Sequence, residues 1–239
     1  MNRIEATFAS KQSKGRRMPT IVIASSKGGA GKSTTAVILG TELARAGAQV
    51  TLMDCDPNGS LTLWGQRADL PPRIRLRNGI SESGIVRAIR DAEADGAVVV
   101  VDLEGVASRL VSRAISQADL VITPMRATTL DATIGVRALQ LVAEEEEALD
   151  RAIPQAVVFT MTRAIRSKQH QGIEQSLRGQ GIDVVSPGLM ERAAYSALFE
   201  FGGDLSTLPV QGNMEAARTE AASFARAVYE RLVHEEVAA

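Results

Sequence analysis

Apolar residues along this chain gather in short runs, and most runs are followed by a stretch with helical periodicity. Thr20–Ala24 is the first run, ending at a turn rich in serine and glycine. Behind it Ala36, Ile38, Leu39 and Leu43 recur at helical spacing from Ser33 to Ala46, and Gly47 closes the stretch. Further strands are expected at Gln49–Met53, Ala97–Val101, Leu120–Thr123, Gln155–Thr160 and Asp183–Val185, with a period-two alternation over Arg73–Arg77. Helices are expected over Ser81–Ala94, Val106–Gln117, Leu130–Leu149, Ser167–Arg178 and Asn213–Glu236. The last of these carries Ala221, Phe224, Val228 and Leu232 on one face. Ala97–Val101 is unbroken by polar residues, as in a parallel strand buried on both faces. Strands and helices in alternation, joined by short turns, predict an α/β fold with a doubly wound, mostly parallel sheet.

Composition narrows this further. The chain has 239 residues, 45% of them hydrophobic, which is enough for one full core and excludes disorder throughout. Lys and Arg total 27 against 28 Asp and Glu, so a uniformly basic nucleic-acid binder is excluded, although a local basic patch is not. Cys55 is the single cysteine and there are two histidines, so neither a disulfide nor a Cys/His metal cluster can form within the chain. Aromatics make up 3%, too few for a base-stacking surface. No apolar run approaches the ~20 residues of a membrane helix, and the N-terminal residues carry Arg3, Lys11, Lys14, Arg16 and Arg17 with no apolar core behind them. We expect a cytoplasmic protein with a flexible basic arm over residues 1–19 and a single domain over residues 20–239.

The chemistry concentrates at Ser25-Ser26-Lys27-Gly28-Gly29-Ala30-Gly31-Lys32-Ser33-Thr34, between a strand and a helix. Small residues let backbone N–H groups curl around phosphate oxygens, and a helix N-terminus adds the positive end of its dipole. Lys32 can reach the β- and γ-phosphates, and the Ser33 hydroxyl can ligate Mg²⁺. Serine replaces the first glycine of the general phosphate-loop pattern at position 26. Two aspartate-bearing strand ends accompany the loop. Asp54-Cys55-Asp56-Pro57-Asn58-Gly59-Ser60 follows the second strand, and Asp102-Leu103-Glu104-Gly105 follows the valine run. Carboxylates at strand C-termini sit at the crevice where doubly wound sheets bind ligands.

These segments resemble the ParA/MinD superfamily of ATPases with a deviant Walker A motif, in which an extra lysine, here Lys27, precedes the glycine pair. The resemblance runs from Thr20 to about Leu232. It implies ATP and Mg²⁺ as cofactors, with Lys27, Gly28, Gly29, Ala30, Gly31, Lys32, Ser33 and Thr34 around the phosphates. It further implies that Lys27 reaches the partner's nucleotide across a two-fold dimer, that Asp56 orients the attacking water, and that Ser33, Asp54 and Asp102 serve the metal. Met161 and Pro187 would frame the adenine. Family members usually continue the Asp102 strand with Thr-Pro-Gly, where this chain has Leu103 and Glu104. A basic cluster, Arg163, Arg166, Lys168 and Arg178, is a candidate for nonspecific DNA contact, and Arg73, Arg75 and Arg77 form a second basic group.

Within that superfamily the cysteines of nitrogenase-type reductases and anion pumps are missing, as is a Tyr-rich tail. The end Val233-His234-Glu235-Glu236 is acidic, unlike a membrane-anchoring helix. Two readings fit: a partition ATPase that dimerises with ATP, binds nonspecific DNA and answers to an adaptor, or the ATPase of a T-DNA or conjugative-transfer operon. An ATP-dependent small-molecule synthetase is the third reading, and Lys27 with the Asp-Pro-Asn-Gly-Ser run argues against it.

Overall fold

The computed structural model describes residues 17–105, 108–209 and 212–238. Seven strands form one sheet: β1 (Thr20–Ile23), β2 (Gln49–Cys55), β3 (Ile74–Arg77), β4 (Ala97–Leu103), β5 (Leu120–Arg126), β6 (Gln155–Thr160) and β7 (Asp183–Val185). Their order is β3-β2-β4-β1-β5-β6-β7, and every pair is parallel. The helices are α1 (Lys32–Arg45), α2 (Ser60–Gly65), α3 (Ile85–Ala94), α4 (Arg109–Ile115), α5 (Thr129–Leu149), α6 (Lys168–Gly179), α7 (Ala193–Phe201) and α8 (Met214–Ala238).

The valine run behaves as its composition requires. Val98 and Val100 pack with α1, α7 and α8 on one face, while Val99 and Val101 pack with α3 and α4 on the other. Period-two alternation in a central strand thus feeds two separate cores. Phe224, Ala221, Val228 and Leu232 of α8 are all buried in the first core. Among the described residues no helix is long and apolar enough to cross a membrane.

Several elements depart from the expectation. Strand β5 continues through Pro124 to Arg126. The proline costs no ladder bond on the β1 side, because β1 stops pairing at Ile122 and only β6 flanks Pro124. Helices α2 and α7 lie where no helix was expected: α2 is a single short turn-rich segment and α7 is an apolar nine-residue piece. Helix α4 starts later than Val106, with the Ser108 hydroxyl capping Val111 N at 3.3 Å. The folded unit also begins earlier than residue 20. Met18 is 1% exposed, and Arg17 pairs with Glu93 and Asp119 at the base of β1. The rest of the basic arm, residues 1–16, lies outside the described residues.

Arg73, Arg75 and Arg77 are spent on the fold at the β3 edge. They reach Gly47 O at 3.2 Å, Asp95 at 3.2 Å and Ala88 O at 3.5 Å respectively. They are ties of the sheet edge.

A candidate nucleotide and metal site

The phosphate loop leaves β1 and enters α1 through two glycines in the left-handed region, Gly29 (φ 71°) and Gly31 (φ 90°). Gly31 does so against the end of β6: a Cβ there would stand 3.3 Å from the Thr160 side chain. Thr160 holds the loop from below by donating to Ala30 O at 2.7 Å. An alanine at position 31 would therefore be strained in both backbone and packing.

Lys32, the first residue of α1, is 6% exposed, and its ammonium lies 3.8 Å from Asp56. Asp56 is itself held by Asn58, whose backbone N–H and side-chain amide donate to it at 2.9 and 2.8 Å. The parallel register sets Asp54 of β2 beside Asp102 of β4, and Asp102 in turn beside Ile23 of β1. Two carboxylates thus line up under the loop. One Asp54 oxygen accepts from Thr62 N at 2.7 Å and from the Thr62 hydroxyl at 2.6 Å, which ties down the first turn of α2. The other Asp54 oxygen is buried without a hydrogen-bond partner.

Asp102 is the sharper case. It is 0% exposed and neither of its oxygens has a hydrogen-bond partner of good geometry. Burial pushes its carboxyl up to about 7, with the Ser33 hydroxyl and the Lys32 charge pulling the other way. A bare buried carboxylate costs stability unless something is meant to meet it. A hard divalent cation with oxygen ligands fits that requirement. Among the described residues no group of three His, Cys, Asp or Glu could hold a metal unaided. Such a cation would need phosphate oxygens as well, as Mg²⁺ sites commonly do. The donor set of Ser33, Asp102 and the free Asp54 oxygen therefore fits Mg²⁺ with a nucleotide.

This orphaned carboxylate has a measurable consequence. The raised folded-state pKa means that the cost of Asp102 grows as pH rises from its ordinary value near 3.8 and levels off above about 7. Asp102→Asn is expected to raise the Tm of the metal- and nucleotide-free protein, with a gain on the order of 1–3 kcal/mol at pH 8 and a smaller one at pH 6. Thermal denaturation in EDTA at both pH values measures it. A lower Tm for the variant at pH 8 would contradict this account of the site.

Lys27 points elsewhere than at this carboxylate pair. Its ammonium is taken up by Asp131, which is 4% exposed in the first turn of α5. Burial alone would push the Asp131 carboxyl up, but the Lys27 and Thr128 hydrogen bonds and the Lys27 and Arg126 charges together hold it below the usual range. Arg126, at the end of β5, donates to Gly29 O at 3.2 Å. Neither Asp131 nor Arg126 was among the expected site residues. Asp131 carries a local signal, the Thr128-x-x-Asp131 helix start, in which Thr128 caps Asp131 N at 3.1 Å. Its meeting with Lys27, 104 positions away, carries none.

Beside Gly31 and Thr34 opens a cavity of about 320 Å³. Met161 lines it, with a left-handed backbone (φ 50°), together with the segment from Leu189 to Arg192 and Tyr195. Pro187 is not among the residues that line it. The chain after Pro187 comes so close to β6 that a Cβ on Gly188 would meet Phe159 O at 2.4 Å. That approach carries the next residues, and not the proline, to the cavity wall. The Leu103–Glu104 departure is equally local: Leu103 is buried in the α3–α4 core, and Gly105 packs over the backbone of Ser25 and Gly28. Cys55 is buried, and burial pushes its thiol up to about 12, so it is an inert core residue.

The expected DNA patch is divided. Arg166 and Arg178 both pair with Glu174, at 2.8 and 3.0 Å, and Arg178 also donates to Val184 O. Arg178 stands at the far end of α6. Arg163 and Lys168 are exposed near the start of α6.

Residues 21–204 match the family described as the CobQ/CobB/MinD/ParA nucleotide binding domain. The chain is 59% identical over 217 residues to Protein ParA of Rhizobium radiobacter, covering 90% of this chain and 98% of that one. It is 30% identical to Protein virC1 of Rhizobium radiobacter, over 77% and 82% of the two chains. Among solved structures, an ATP complex of Cyanothece McdA superposes with a TM-score of 0.73 at 19% identity, covering 89% of this chain and 97% of that one. The match spans the phosphate loop, both aspartate-bearing strands and the sheet that aligns them, and on that ground the chain belongs to the CobQ/CobB/MinD/ParA nucleotide-binding family, as a ParA-like member of it.

Proposed function

We propose that this chain is a ParA-like partition ATPase that binds ATP with Mg²⁺, hydrolyses it slowly, and uses the bound nucleotide to control dimerisation and a hold on nonspecific DNA. The observation that carries the ATPase reading is the buried, unpartnered Asp102 carboxylate beside Lys32 at the start of α1. Its relatives favour partition as the purpose: they include Protein ParA and a chromosome partitioning protein ParA from Caulobacter vibrioides. The transfer-operon reading rests on the more distant Protein virC1 at 30% identity and ranks second.

In this reading the backbone N–H groups of Gly28 to Thr34 cradle the phosphates, and Lys32 turns from Asp56 toward the terminal one. Mg²⁺, when bound, neutralises charge on the phosphate oxygens and so eases departure of the leaving group. Ser33 and Asp102 would hold the cation, and the free Asp54 oxygen would support it from the neighbouring strand end. Asp56, oriented by Asn58, aligns the attacking water. Lys27 leaves Asp131 to meet the partner subunit's nucleotide, so dimerisation exchanges one anion for another at the same ammonium. Arg163, Lys168 and Arg166, the last partly neutralised by Glu174, then stand as paired weak phosphate contacts on the dimer. A protein adaptor would act on this dimer.

Lys27→Ala is expected to keep ATP binding while losing both ATP-dependent dimerisation and DNA retention. Light scattering and a salt-titrated DNA-binding assay, each with a nonhydrolysable ATP analogue, measure the two together. A wild type that stays monomeric with the analogue, or binds DNA equally well without nucleotide, would overturn the switch.

A further inference from the structure

The outer face of α3 and α4 carries four arginines whose charge the fold does not use up. Arg87 and Arg90 stand about one helical turn apart on α3, opposite the buried Ile85, Ile89 and Ala92. Arg109 and Arg113 are placed in the same way on α4, opposite Val111, Ala114 and Ile115. The two pairs meet over the seam between the helices. Arg90 Nε donates to Gln117 Oε1 at 3.1 Å, just past the end of α4, and Arg113 Nη1 donates to Glu82 O at 3.2 Å, just before α3. Both acceptors are neutral, so they hold the guanidinium groups in place and leave their charge uncompensated.

Arg109 has no ion pair among the described residues. Arg87 lies 3.7 Å from Asp91, and with both side chains mostly exposed the pair is worth little in water. The other carboxylate of α3, Glu93, is turned inward to Arg17 and Thr20. Four arginines therefore share this surface with two exposed carboxylates, Asp91 and Glu82. At α6, by contrast, the single Glu174 takes up both Arg166 and Arg178.

The chemistry of the face points to a polyanion. None of the large apolar side chains exposed among the described residues belongs to α3 or α4. A protein partner is gripped through apolar or aromatic anchors, and a helix lying on a membrane needs an apolar face in the headgroup layer. A phosphate backbone asks only for positive charge, and the planar guanidinium fork matches phosphate oxygens. We propose that the arginine row over the α3–α4 seam is a surface by which this chain holds the DNA backbone. The proposal rests on the partition reading above and adds to the α6 contacts a second footprint on other helices. An ATP-bound dimer carries two such rows on one particle, so the nucleotide raises retention through the number of phosphate contacts.

The test titrates salt against the binding of a short random-sequence DNA duplex, with a nonhydrolysable ATP analogue present, alongside light scattering and ATP turnover. Arg87→Gln/Arg109→Gln removes two charges per chain and leaves the Arg90 and Arg113 hydrogen bonds intact. The slope of log affinity against log salt should fall by about 2 where one row engages and by about 4 where both rows of a dimer do. Dimerisation and turnover should hold. Adding Arg90→Gln and Arg113→Gln should lower the slope further. A folded, dimerising quadruple variant with the wild-type slope overturns the proposal, and if the quadruple variant does not fold, an unchanged slope in the double variant does so. Loss of binding to phosphatidylglycerol vesicles with DNA binding intact also overturns it, in favour of a lipid surface. If Arg163→Gln/Lys168→Gln alone lowers the slope, the partition reading stands and the row is excluded. A wild type that binds no DNA with the analogue refutes the partition reading itself, and the proposal with it.

Discussion

Replacing Lys32 with alanine is expected to lower the affinity for Mg-ATP by at least about hundredfold and to abolish hydrolysis, because the terminal phosphate loses its main charge-assisted partner. The structure makes the loss larger than one contact. Lys32 is 6% exposed, and its ammonium is the cation nearest to Asp56 and also acts on Asp102. Without it, the carboxylates of Asp54, Asp56 and Asp102 face the incoming triphosphate unbalanced. Lys32→Arg should rescue little, since a planar guanidinium does not fit the space of a buried ammonium. Titration calorimetry with Mg-ATP measures the affinity, and circular dichroism confirms that the variant is folded. Tight ATP binding by a folded Lys32→Ala would remove the phosphate loop from the site assignment.

Asp56→Ala is expected to separate binding from turnover. Its carboxylate stands 3.8 Å from the Lys32 ammonium and is clasped by Asn58, so it is placed to orient a water and not to hold a phosphate. Hydrolysis should fall by about 10²–10⁴, the usual worth of a positioned general base or water-orienting group. ATP affinity should stay the same or rise, because one negative charge leaves the neighbourhood of the triphosphate. Phosphate release under saturating ATP, set against equilibrium nucleotide binding, reads the two effects separately. Wild-type turnover in the variant would eliminate Asp56 from the mechanism.

The line between what could be read along the chain and what could not follows the range of the interactions. The valine run, the Gly31-Lys32-Ser33 turn and the helix start at Ser167 are local patterns. Their meaning lies within a few residues, so the parallel sheet and the position of the phosphate loop were legible. Helices α2 and α7 were not. The first is one short turn whose start is held by Asp54, eight positions earlier, and the second is apolar on too short a span to show a period.

Charged residues divide in the same way. Sequence alone set Lys32, Asp56 and Asp102 at the strand-to-helix junctions, because a doubly wound sheet sends every strand C-terminus to one edge. Only the tertiary structure decided what each charge meets. The Arg73–Arg77 group met backbone carbonyls and a carboxylate of neighbouring segments, and Arg178 met Glu174 and the Val184 carbonyl. Lys27 found Asp131, and Met190, Arg192 and Tyr195 converged on Glu220 from α8. The physical reason is that a hydrogen bond or ion pair depends on a few ångströms of separation in space, and packing, not spacing along the chain, sets that separation.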